Sequence, residues 1–484
     1  MTENVAVPAP EARIGDPALQ KVRALRAGVD AMRAAGESYL PKEELETSKD
    51  YQARLKRSWL FPALDKATRD MADKVFAKPI VLGKDVPPEI ADLQKRISGD
   101  GQNLNSFARR VFEDGLDAGV SFIMVDSPRL NGTMTVAEQK ARDFRPYLTM
   151  VRAEDVLGWK TFPNEPMERL SQIRIKETVI EEDPENEYGK VEVEQIRVLT
   201  VINGKVEVEL HRKGLDGLDK GKWMIHDQFP VQMDEITIVP FYANRTGFFE
   251  GAVTLEKLAD LNIAHWQSAS DQRNILHKAR VPVFFMKGMQ ADEAVIGANS
   301  ALVSQSEHAD AKWIEHNGAA IGAGRDDLQD LEMRMQVLGL ELLIAKTGNH
   351  TATGEAIDAA KMTTPLAMMA NSLEDALETA LGYMAKYLGL ADGGSLKVNT
   401  DFGVGLLRQV DLDFLLKSVN TGQISQETFL TEVKRRGVLM DDFSVDDEIE
   451  RTEQEIPDAQ DLAEVHLDDD PSVIAFNNAL NGAA

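Results

Sequence analysis

The period of the apolar residues changes twice along the chain, and the changes divide it. Up to about residue 126 the spacing is mostly helical. Residues 19–36 read as a helix rich in Ala and Arg. In YLPKEELETSKDYQARLKRSWLF, the residues Tyr51, Leu55, Trp59 and Leu60 fall near helical spacing. Pro62 marks a kink or restart, and ALDKATRDMADKVFAKP continues as helix to Pro79. Asn103 or Asn105 can cap the next helix, which carries Phe107, Val111 and Leu116 on one face and ends at Gly119. VSFIMVD then reads as a buried strand.

From Tyr147 to His211 the pattern alternates. YLTMVRAEDVLGW is a strand and turn, and QIRIKETVI offers Ile173, Ile175, Thr178 and Ile180 to a core. VEVEQIRVLTVI and KVEVELHR are joined at Asn203-Gly204, a strong two-residue hairpin signal. ITIVPFYANR is a further strand. A mixed α+β lobe therefore covers roughly residues 37–250.

At residue 254 the helical period returns. Two long helices bracket a compact strand-like insert between residues 254 and 346, and this is the most informative feature of the chain. Residues 254–278 would span about 38 Å as helix. The insert, residues 281–316, holds VPVFF and ALVSQ as strand candidates, and GAAIGAG is a glycine-rich joint. Beyond it Leu328, Leu331, Met335, Leu338, Leu342 and Ala345 repeat at heptad spacing, a seam suited to a neighbouring helix. The loop KTGNHTATGEA follows. Residues 355–388 form another very long helical pattern that Pro365 should kink. KVNTDFGV is a short strand, and residues 412–419 and 426–436 are shorter helices, the second capped by Ser425. No internal repeat is visible.

Composition narrows the functional classes. The chain has 484 residues, 43% of them hydrophobic, enough for several subdomains. No apolar run approaches the ~18 residues of a membrane span. The start, MTENVAVPAPEARIGDP, carries Glu3 where a signal peptide needs basic residues, and reads as a flexible arm. Cysteine is absent, which excludes disulfides, thiolate catalysis and Cys-based metal sites. Net charge is -26, so the overall field should not grip phosphate backbones. Between residues 441 and 470 there are 14 acidic residues and one basic residue, Arg451. That run is a solvated tail or a surface that keeps DNA and neighbours from sticking.

Candidate chemistry is sparse. The chain lacks a GxxxxGK[ST] phosphate loop, HExxH, GxSxG and an EF-hand loop. GAAIGAGRDD is not the dinucleotide fingerprint. His265 and His277 stand twelve apart on one helix, too far to share a metal. Asp326 and Asp327 suit a helix N-terminus through the dipole. Lys346, Asn349, His350 and Thr351 form a polar, glycine-bounded loop. It is either an ordinary connection or a mobile loop that projects into a channel and touches phosphates transiently.

Four stretches, taken in their order and spacing, resemble the portal proteins of tailed bacteriophages. They are YQARLKRSWLFPALDKATRDMADKVFAKP, DGQNLNSFARRVFEDGLDAGVSFIMVDSP, RPYLTMVRAEDVLGW and PFYANRTGFFEGAVTLEKLADLNIAHWQSASDQRNILHKARVPVFFMKG. The TATGEA loop and its helix add to the match, which covers residues 39 to about 440. The resemblance implies an α+β portal fold that assembles into rings. Residues 1–36 would be an N-terminal arm and helix, 37–253 a wing, 254–280 a stem helix, 281–317 a small β-containing clip, and 318–346 a second stem helix. Residues 347–355 would be a tunnel loop, 356–405 a kinked helix returning to the wing, 406–455 a helical crown, and 456–484 an acidic tail.

Members of that family form closed rings, usually twelve-fold in the virion, at one capsid vertex. They pass double-stranded DNA through a central channel without sequence specificity. The resemblance implies a homo-oligomer, and as partners the terminase large subunit, a head-tail adaptor, and the major capsid and scaffolding proteins, with no membrane, metal or cofactor. It implies DNA-facing roles for Lys346, Asn349, His350, Thr351, Arg273 and Lys278. Lys287, Gln290, Asp292 and Glu293 would face terminase or adaptor on the clip. Leu328, Leu331, Met335, Leu338 and Leu342 would form an inter-subunit seam. No enzymatic activity is expected. The alternatives are another structural ring or adaptor of a virion, and an enzyme with an unfamiliar site.

Overall fold

The computed structural model describes residues 4–128, 144–183, 186–214, 220–280, 283–287, 308–314, 319–341 and 364–400, and after them 402, 416–419, 424–435, 439 and 443–455. It is a mixed α and β structure that divides into two units, Met1–Thr400 and Asp401–Ala484.

The first unit opens with a helical layer. Helix α1 (Pro17–Ala27) is capped by Asp16, whose side chain accepts from the Ala18 and Leu19 amides. The single helix expected over 19–36 is two, because Gly28 at φ 89° separates α1 from α2 (Val29–Ala35). Helix α3 (Ser48–Arg57) starts from Thr47 and buries Tyr51 and Leu55. Pro62 restarts the chain into α4 (Ala63–Val75), which ends four residues before Pro79. A short strand β1 (Val81–Leu82) and the single-turn α5 (Pro88–Ala91) lead to α6 (Leu104–Ala118). Asn103 caps α6, and Asn105 instead accepts from the Ile80 amide at 2.8 Å. Gly119 ends α6 in the left-handed region at φ 86°.

Strand β2 (Val120–Asp126) follows, buried over six successive residues. Six buried positions in a row leave no solvated face, which is why the strand is apolar on both faces except at Ser121. It lies between β3 (Tyr147–Val151) and, from later in the chain, β9 (Ile238–Tyr242), both antiparallel to it. A second sheet is an antiparallel meander of β4 (Val156–Thr161), β5 (Leu170–Glu182), β6 (Lys190–Ile202), β7 (Lys205–Lys213) and β8 (Trp223–Val231). Asn203 and Gly204, at φ 51° and 74°, make the expected tight turn between β6 and β7. Ile173 and Ile175 are buried, but Thr178 and Ile180 are exposed. They have the opposite parity to the buried pair and therefore sit on the other face. Strands β10 (Arg245–Gly247) and β11 (Glu250–Gly251) form a small ribbon.

The N-terminal arm is fastened rather than free. Val5 and Ala6 pack on the buried cluster of Leu157, Ile196 and Val198. The Arg174 guanidinium donates to the carbonyls of Val5 and Val7, each at 2.7 Å, and the Ala9 amide donates to Leu157 at 2.8 Å.

The long helices close the unit. Helix α7 (Glu256–Ala279) and helix α8 (Ala319–Glu341) flank a ribbon of β12 (Val283–Lys287) and β13 (Asp310–Ile314). The strand pairing with VPVFF is thus DAKWI; ALVSQ lies outside the described residues. Helix α9 (Pro365–Leu388) packs on β2 and β9 and buries Leu366, Ala370, Leu373, Leu377, Leu381 and Met384. Strand β14 (Leu396–Lys397) returns to pair with β1.

Pro365 does not kink a longer helix. Thr364 is extended (ψ 154°) and its side chain accepts from the Ala367 amide, so Pro365 is the first residue of α9. Proline fits there because its missing N–H would have no helical partner in any case.

In the second unit, α10 (Gln426–Arg435) is capped by Ser425, and α11 (Val445–Glu455) starts from Ser444. The Lys434 ammonium donates to the Phe443 carbonyl at 2.7 Å. Asp446, Asp447 and Glu448 crowd the first turn of α11, where the helix dipole favours negative charge.

Candidate functional site

The candidate site is the α7–ribbon–α8 unit and the wing that holds it. Helix α7 has 24 residues and α8 has 23, so each is about 35 Å long. They run antiparallel and are held by polar contacts. His265 Nε2 lies 3.3 Å from Glu332, Ser268 donates to Asp327 at 2.6 Å, and Gln272 Nε2 donates to the Ile321 carbonyl at 2.8 Å.

Two expectations change here. Gly322 and Gly324 of GAAIGAG are not a joint: α8 already begins at Ala319. A Cβ on Gly324 would come within 2.2 Å of Gln272 Oε1, so the small residue lets α7 approach. Asp327 is in the body of α8, not at its start, and serves as the acceptor for Ser268.

The amino-terminal two thirds of α7 is bolted to the helical layer. Asn262 is 1% exposed; its Oδ1 accepts from the Leu64 amide at 3.1 Å and its Nδ2 donates to the Phe61 carbonyl at 2.9 Å. Gln267 donates to the Tyr39 carbonyl at 3.0 Å, and the Ser58 and Ser270 hydroxyls pair at 2.8 Å. Trp266 is fully buried between these contacts in sequence.

The heptad stripe on α8 packs first within the chain. Met335 is buried, and Leu328, Leu331 and Leu338 are half-buried. Helices α4 and α7 both pack against α8, and a Cβ on Gly339 would meet Ala67 at 3.6 Å. Leu342 lies outside the described residues. Met333 and Val337, which break the heptad, are each 65% exposed.

The expected DNA-facing residues are only partly placed. Arg273 is exposed, lies 5.7 Å from the centre of the Trp59 ring, and donates to the Arg57 carbonyl at 3.5 Å. Lys278 is in the last turn of α7. Lys346, Asn349, His350 and Thr351 lie outside the described residues. Of the expected ribbon residues, Lys287 ends β12, exposed and opposite Asp310; Gln290, Asp292 and Glu293 lie outside.

A charged cluster missed by sequence reasoning ties α1 to α6. Arg23 pairs with Asp114 at 2.5 Å, Asp117 at 3.1 Å and Glu154 at 2.8 Å. Arg26 pairs with Glu113 at 2.9 Å, Asp117 at 3.2 Å and Asp65. Carboxylates outnumber guanidiniums. Burial pushes the Asp117 carboxyl up to about 6, with Asp114 adding to the rise and both arginines opposing it. Asp155 is likewise pushed up to about 6, by burial and then by Glu154. Among the described residues no group of three His, Asp or Glu side chains could hold a metal ion, and no helix is long and apolar enough to cross a membrane.

A family model described as "Domain of unknown function (DUF4055)" matches residues 254–388, the span from α7 through α9. No curated protein matches the chain. Solved structures with a similar course include a chain in the neck of an empty GTA particle, with 13% identity, 78% of this chain and 90% of that chain covered, and a TM-score of 0.40. A chain in the virion of a native gene transfer agent particle has 13% identity, 76% and 88% coverage and a TM-score of 0.39. A chain in the neck of the native particle, computed with C12 symmetry, has 14% identity, 77% and 89% coverage and a TM-score of 0.38. At these values the likeness is loose and assigns no role to this chain.

Proposed function

We propose that this chain is the subunit of a portal ring, a non-enzymatic conduit for double-stranded DNA at one vertex of a phage-type capsid. The observation that carries the reading is the α7–ribbon–α8 unit. Two antiparallel helices about 35 Å long end in a two-stranded β ribbon, and α7 is bolted along most of its length to a rigid α+β body. Such an element has little use as a catalytic scaffold. Repeated around an axis, it makes a wall. The resemblance of four sequence stretches to portal proteins supports the same reading.

Charge agrees with a conduit. B-DNA carries about one phosphate charge per 1.7 Å of axis, so a cationic lining would bind it tightly and stall movement. A chain of net charge -26 with isolated basic positions lets a duplex slide. In this reading the ring is a dodecamer in the virion. The ribbon meets the terminase large subunit and later a head-tail adaptor, and the wing meets capsid and scaffolding proteins. The test is assembly: the purified chain should form rings with a central hole.

A further inference from the structure

Two open surfaces of the Met1–Thr400 unit are complementary. The first is the outer ridge of α8. Met333 and Val337 stand one turn apart at 65% exposure, with Asp330 before them and Arg334 between. The second is a groove of about 620 Å³ where the start of α9 passes β9 and β10. Its lining includes Tyr242, Arg245, Pro365, Met368, Asp375 and Thr379, and Met368 is 63% exposed. Arg245 lies 4.8 Å over the Tyr242 ring and, among the described residues, donates only to the Gly247 carbonyl. Asp330, Arg334, Arg245 and Asp375 form no ion pair with any described residue. Each surface thus combines exposed apolar side chains with one positive and one negative side chain outside any ion pair among the described residues.

We propose that the Met333–Val337 ridge of one copy seats in the groove of the next, with Asp330 toward Arg245 and Arg334 toward Asp375. This rests on the ring reading and deepens it by naming the two surfaces. A convex helical ridge and a concave apolar groove are the two halves of a helix-in-groove contact. Because they are different surfaces, the contact is head-to-tail and can propagate into a ring, whereas a ridge packed on itself would stop at a dimer. The interface then uses the side of α8 away from Leu331, Met335 and Leu338, which the chain already covers with its own helices.

The chain has no cysteine, so any disulfide must join introduced residues, and the two single variants reveal like-with-like pairing. The full-length Val337→Cys, Met368→Cys double variant is oxidised mildly, run on a non-reducing gel, and imaged by negative stain. The expected result is rings and a ladder of covalent multimers rising beyond the dimer. Rings without a ladder would overturn this interface and leave the ring reading standing. No rings in the unmodified chain would remove both. A fast-migrating monomer would mean that the groove is filled from within its own chain, and a dimer from Val337→Cys alone would mean that the ridge pairs with itself.

Charge reversal gives an independent test. Arg334→Glu and Asp375→Arg alone should each lower the ring fraction about tenfold, and together should restore it. Failure of the pair to rescue would overturn the assignment.

Discussion

Asn262 caps a helix 198 residues earlier in the chain: its side chain accepts from the Leu64 amide at 3.1 Å and donates to the Phe61 carbonyl at 2.9 Å. The N-cap position of α4 is Pro62, whose side chain cannot accept a hydrogen bond, so α7 supplies the missing acceptor. The contact therefore fastens the long helix and completes the short one together.

Replacing Asn262 with Leu should lower stability by about 1–3 kcal/mol, since the Leu64 amide would be buried without a partner. Asn262→Asp keeps the acceptor for Leu64 but buries a carboxylate whose second oxygen faces the Phe61 carbonyl, so at neutral pH it should destabilise at least as much as Leu. Urea midpoints of the three proteins check this; equal midpoints would mean that water replaces the side chain.

Gly119 should tolerate no substitution. It sits at φ 86°, and a Cβ there would lie 2.0 Å from the Ala252 carbonyl oxygen. Its own carbonyl accepts from the amides of Ala243 and Asn244 at 3.0 and 2.9 Å. Gly119→Ala combines left-handed strain with a backbone clash and should destabilise by roughly 3 kcal/mol or more. Loss of soluble expression or of the cooperative transition is the expected readout.

Asp117 should make stability depend on pH. Its carboxyl is raised from 3.8 to about 6 by burial, so between those values the folded state holds more protons than the unfolded one. Its contribution is therefore fullest below about pH 4 and is lost as pH rises through about 6. Compared with Asp117→Asn, which cannot titrate, the unmodified chain should gain stability as pH falls from 7.5 to 5. A constant gap between the two midpoints would mean that the two arginines hold the carboxyl ionised throughout.

Deleting residues 348–353 should leave assembly intact and impair DNA packaging or retention. Particle yield and DNA content in a complementation assay separate the two. Failure to assemble would make the segment structural.

Much of the fold was legible where the signal is local. Asn203-Gly204 announced its hairpin, and Gly119 announced both the end of α6 and the start of a buried strand. Local signals also misled. Thr364-Pro365 is a helix start, although the helical spacing that continues across the proline suggests an interruption. The glycines before Asp326 suggest a joint, yet Gly322 and Gly324 lie within α8 and Gly324 makes room for Gln272. Thr178 and Ile180 suit a strand, but their parity puts them outside.

The contacts that position the candidate site were least legible. Asn262 with Leu64, and Arg23 with Asp114, join residues far apart in sequence, and no spacing rule reports them. One clue was available: a helix restarting after Pro62 without a capping residue needs an acceptor from elsewhere. On α8 the heptad stripe was visible, but not that the chain's own helices α4 and α7 would cover part of it.

The most direct test of the account is the assembly state of the purified full-length chain, imaged unstapled by negative-stain electron microscopy across a concentration series. The account predicts closed rings with a central hole when viewed down the axis. A monomer at every concentration would contradict it.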